Sequence, residues 1–63
     1  MSSWRVAESH PLKDVDPAEL RYKWEEVAID MALIPANNVR VYIEDGIVRI
    51  EVSTELYDCM AGI

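Results

Sequence analysis

The chain has 63 residues, 51% of them hydrophobic and 29% charged, a globular balance in a length that suits one small domain over residues 1–63. Six basic residues against twelve acidic ones give a formal net charge of -6, so phosphate backbones and anionic membrane surfaces should repel it and direct nucleic-acid binding is not expected. No apolar run approaches the roughly 20 residues that span a bilayer, and Cys59 alone cannot make an intramolecular disulfide. Met1 to Arg5 leads into no apolar segment of the secretory kind, so a cytoplasmic location is expected.

At the N-terminus, residues 3–8 alternate apolar and polar, with Trp4 and Val6 on one side, the pattern of an edge strand. Ser9 to Asp14 reads as connecting loop, because a residue before proline, here His10, is driven out of helical angles.

A helix is predicted over 17–34. Asp16 is its cap, Pro17 occupies the first position, Glu19 completes a capping box, and Val15 with Leu20 forms a hydrophobic staple. Pro35 stops it, and Ala36-Asn37-Asn38 turns the chain. At about 100 degrees per residue, Leu20, Trp24, Val27, Met31 and Ile34 fall within about 40 degrees of one line, the expected core stripe. Ala18, Tyr22, Ile29 and Leu33 gather on the opposite side. A helix apolar on two sides needs two things to pack against. Two readings of the second stripe stay open: a cover formed within the chain by Trp4, Leu12, Leu56, Met60 or Ile63, or an interface with another protein or another copy. Glu19, Glu26 and Asp30 line its rim, with Lys23 the one base, which suits a basic partner. Ala18, Tyr22, Glu26, Ile29, Asp30 and Leu33 are therefore the candidate partner-binding residues.

Asp45-Gly46 between two alternating runs specifies a type I' hairpin, since both turn positions need positive φ. Strands over 39–44 and 47–52 follow, with Val39, Val41, Ile43, Val48, Ile50 and Val52 on one face. On the other face Arg40 meets Glu51 and Tyr42 meets Arg49, an ion pair and a cation–π contact. After Val52, capping by Ser53 or Thr54 favours a short helix over 54–61 ending at Gly62; continuation of the strand through Thr54 and Leu56 is the alternative.

The expected architecture is α+β: a weak N-terminal strand, one long helix packed on a two- or three-stranded antiparallel sheet built around the hairpin, and a short C-terminal helix. No catalytic, cofactor-binding or metal-binding residue is assigned. One Cys and one His cannot furnish a structural zinc site, and neither Cys59 nor His10 has a local pattern that activates a thiol. Asp14, Asp16 and Glu19 fail the calcium-loop spacing and suit a helix N-terminus instead. The aromatic set Trp4, Trp24, Tyr22, Tyr42 and Tyr57 lacks the excess of bases that accompanies base stacking. A core at this length supplies only a few kcal/mol, which favours burial against a partner. The expected function is a non-enzymatic protein–protein interaction module, a small subunit or adaptor that self-associates or docks on a larger assembly through the second stripe or a strand edge. The alternative is an acidic inhibitor, of phage or viral kind, that occupies the basic nucleic-acid-binding groove of a host protein.

Overall fold

A computed structural model describes residues 3–61, with side chains through residue 60. The expected helix stop at Gly62 and a covering role for Ile63 lie outside the described residues. The order is β1 (Trp4–Pro11), a 3-10 turn (Leu12–Asp14), α1 (Pro17–Asp30), α2 (Pro35–Asn38), β2 (Val39–Glu44), β3 (Ile47–Ser53) and α3 (Thr54–Ala61). The strands form one antiparallel sheet in the order β1-β3-β2, so β1 and β2 run parallel with β3 slotted between them, a split βαβ arrangement. The fold is the α+β class expected from the sequence.

The hairpin is built by its turn. Asp45 (φ 54°) and Gly46 (φ 72°) are both left-handed, as a type I' turn demands. All six cross-strand pairs follow, from Glu44 opposite Ile47 to Val39 opposite Val52. The Leu12 amide donates to the Gly46 carbonyl at 2.8 Å and ties the exit of β1 to this turn.

β1 is longer than its alternation suggests. Ser9, His10 and Pro11 are not loop but continue the pairing, opposite Arg49, Val48 and Ile47. The proline signal is compatible with both structures: an edge strand has one side where a missing N–H costs nothing, and a pre-proline residue prefers extended angles. A bulge between Val6 and Glu8 inserts Ala7 against the core and shifts the alternation. Trp4 and Val6 share the sheet face of Glu51, whereas Glu8 and His10 are turned to the face of Ile50 and Val48, which carries α1.

Asp16 caps α1 through its Oδ1, which accepts from the Ala18 amide at 2.9 Å, and Pro17 takes the first helical position. Among the described residues no return bond from Glu19 closes the capping box. Val15 and Leu20, the expected staple, both pack half-buried on the core. The helix ends at Asp30 and not at Ile34. Ala32 adopts φ 61°, its amide donates to the Ile29 carbonyl and the Leu33 amide to the Ala28 carbonyl, each at 2.9 Å, the two bonds of a Schellman stop. Glycine is the usual residue in that position, so an alanine hid the stop from sequence reasoning. Pro35 does not only end a helix; it opens the one-turn α2.

Early termination redistributes the predicted stripes. Trp24 is buried, Leu20, Val27 and Met31 pack around it, but Ile34 is 63% exposed. Leu33 leaves the helical wheel and packs on the core it was expected to face away from. Ala28, between the two stripes, is fully buried. Val39, Val48, Ile50, Val52 and Leu56 complete the core, while Ile43, at the turn end, is 55% exposed.

Helix is the outcome for residues 54–61. Ser53 Oγ accepts from the Leu56 amide at 3.1 Å and donates to Asn38 Oδ1 at 2.6 Å, and Asn38 Nδ2 donates to the Ile34 carbonyl at 2.7 Å. Ser53 and Asn38 are both buried, so this chain of bonds satisfies groups that would be costly unpaired. It also locks α2, β3 and α3 together around Leu56.

Candidate protein-binding surfaces

Because both long elements of helix lie on one side of a three-stranded sheet, two apolar surfaces remain uncovered by the described residues. The first is the outer side of α1. Ala18, Tyr22, Glu26, Ile29 and Asp30 are all exposed, Tyr22 at 66% and Ile29 at 56%. None of the described segments considered as a cover reaches the stripe: Trp4 lies on the opposite side of the sheet, Leu56 and Met60 pack on the core, and Leu12 is itself 38% exposed. The neighbouring Glu26 carboxylate pushes the Tyr22 phenol pKa up. Of the six residues singled out, only Leu33 leaves this surface, for the reason given by the Schellman stop.

The second is the sheet face that carries no helix. At its centre Glu51 is held between two arginines: Arg40 Nη2 donates to Oε1 at 3.2 Å, and Arg49 Nε stands 3.1 Å from Oε2. Arg40 lies 3.7 Å over the Trp4 ring, and both arginines approach the Tyr42 ring, at 5.5 and 5.4 Å. The expected pairs are therefore present, joined by an unexpected third partner, Trp4. The Arg40–Trp4 contact spans β1 and β2 across β3, so no hairpin register could predict it. Toward the turn this face becomes apolar, with Tyr42 and Ile47 about 40% exposed; Ile43, on the helix-bearing side of the same end, and Leu12 add to it. Aromatic and arginine side chains in one patch are the residue types that anchor protein interfaces.

A polar cluster on the other face is structural. Glu8, re-aimed by the bulge, accepts from the Trp24 indole at 2.5 Å and Lys23 Nζ at 3.0 Å, and its second oxygen lies 2.8 Å from His10 Nε2. The His10 hydrogen bond is the main cause that holds the Glu8 pKa down at about 2, with Lys23 and Trp24 adding to it against the cost of burial. This cluster joins β1 to α1. It also engages the ring that a Cys59 nucleophile would need, while Cys59 lies exposed on α3. Asp14, Asp16 and Glu19 share their shallow groove with Lys13 and Lys23, and among the described residues no group of three or more His, Cys, Asp or Glu is arranged to hold a metal ion. The larger groove, of about 560 Å³, lies over Asn38, Ser53 and Thr54, whose polar groups already bond within the protein.

No protein-family model, curated protein or solved structure matches the chain. Among the described residues no helix is long and apolar enough to cross a membrane.

Proposed function

We propose that the chain is a non-enzymatic protein–protein interaction module, a small subunit or adaptor whose exposed apolar surface is covered in an assembly. One observation carries this reading: among the described residues seven hydrophobics are buried, whereas nine large hydrophobics are exposed. Scattered exposed apolar residues are ordinary on any protein. Six of these nine, however, fall into two groups: Tyr22 and Ile29 on the outer side of α1, and Leu12, Tyr42, Ile43 and Ile47 at the turn end of the sheet. The outer side of α1 is the docking surface for a larger partner, with Tyr22 and Ile29 as anchors and Glu26 and Asp30 as an acidic rim that favours a basic counterpart.

The test is a photo-crosslinking residue at position 22, activated in the source cell. A discrete protein adduct, lost when Ile29→Asp is added, is the expected result. A folded chain that yields no protein adduct from this position would overturn the reading.

A further inference from the structure

The two edges of the sheet differ. β1 carries a bulge at Val6–Glu8 and ends on Pro11, two devices that blunt an edge against pairing. β2 has neither: Val39–Glu44 is six residues of regular strand without proline, glycine or bulge. The residues flanking a two-residue hairpin turn, Glu44 and Ile47, exchange both their hydrogen bonds, so bonding to β3 alternates from there through Tyr42 and Arg40. The backbone groups of Val41 and Ile43 therefore point away from the sheet, and among the described residues nothing bonds to them. The Val39 amide is already taken by the Pro35 carbonyl.

We propose that β2 pairs with β2 of a second copy, antiparallel about a two-fold axis at Tyr42, to make a continuous six-stranded sheet. The inference rests on the reading of the chain as an interaction module and names the partner of its strand edge. Outward-pointing residues must face outward-pointing residues, which restricts the registers. An axis at Tyr42 meets this condition: Val41 and Ile43 exchange hydrogen bonds with Ile43 and Val41 of the second copy. It also sets Arg40 opposite Glu44 of the second copy, twice by symmetry, and the two Tyr42 rings opposite each other at a close, non-hydrogen-bonded position. An axis at Val41 would set Arg40 against Tyr42, and one at Ile43 would set Glu44 against Tyr42, so neither matches charges. Glu44 is exposed and has no ion-pair partner among the described residues, which leaves it available for this contact. Ile43, 55% exposed, lies on this edge strand itself.

The register is read by cysteine cross-linking of the full chain in a Cys59→Ser background. Tyr42→Cys should oxidise readily to a disulfide-linked dimer with the wild-type circular dichroism. Glu44→Cys should not, because four residues of strand, roughly 13 Å, would separate the two thiols. Glu44→Arg, which turns two attractions into two repulsions at an exposed site, should weaken dimerisation of the otherwise unmodified chain about tenfold. Equal cross-linking at 42 and 44, or a wild-type chain that is folded but monomeric at about 1 mM, overturns the proposal. If that monomer still gives the adduct from position 22, the strand pairing falls and the interaction module stands; if neither forms, both fall.

Discussion

Glu8 is a residue whose role depends on one inserted neighbour. Without the Ala7 bulge, alternation from Val6 would aim Glu8 at the open sheet face; with it, the carboxylate meets His10, Lys23 and Trp24. Its pKa falls from an ordinary 4.5 to about 2. A depressed carboxylate contributes stability that is fully present above about pH 4.5 and is lost as pH falls toward about 2. Glu8→Gln keeps an acceptor for the indole but removes the charge. Its urea midpoint should lie below that of the wild type at pH 6 and converge with it near pH 2, and parallel pH profiles would contradict the assignment. Ala32 is the second such residue. It holds φ 61° where glycine is the usual occupant, a conformation that costs an L-residue about 1–2 kcal/mol, partly offset by the lower chain entropy of alanine when unfolded. Ala32→Gly should stabilise the fold by about 0.5–1 kcal/mol in thermal or denaturant unfolding, and a loss of stability would contradict a Schellman stop there.

At the scale of elements, local chemistry that is complete within a few residues was legible. Asp45-Gly46 set every pair of the hairpin, Asp16-Pro17 opened α1, and Ser53 capped α3. What escaped was set by contacts distant in sequence or, in one case, by a residue that is not the usual one for its position. The full length of β1 needs β3 beside it, since Pro11 is neutral between loop and edge. The end of α1 was hidden because alanine stands where glycine would have marked it, and this error moved Leu33 and Ile34 to the wrong sides. The outer stripe survived as a shorter patch around Tyr22 and Ile29, whereas the Trp4–Arg40–Glu51–Arg49 face needed the sheet order before it became visible. Ile29 is 56% exposed on that patch, so Ile29→Asp should leave helical circular dichroism intact and change stability by no more than about 0.5 kcal/mol. Unfolding of this variant would mean that the patch is internal core.

For the whole molecule, size and exposure point the same way. Among the described residues a core of seven buried hydrophobics, led by Ile50, Leu56, Val48 and Val52, is thin for a domain that must fold alone. The net charge of -6 opposes association by general repulsion, so the pairing of copies depends on specific matches such as Arg40 with Glu44 and on apolar burial. Moderate salt should therefore leave self-association unchanged or strengthen it, by screening the net repulsion more than it weakens two exposed ion pairs. The most direct measurement is the mass of the purified, untagged chain in solution by light scattering on a sizing column, with circular dichroism on the same peak and concentration varied upward to about 1 mM. A folded species with the mass of two chains is the predicted result. A folded species with the mass of one chain throughout that range would contradict it.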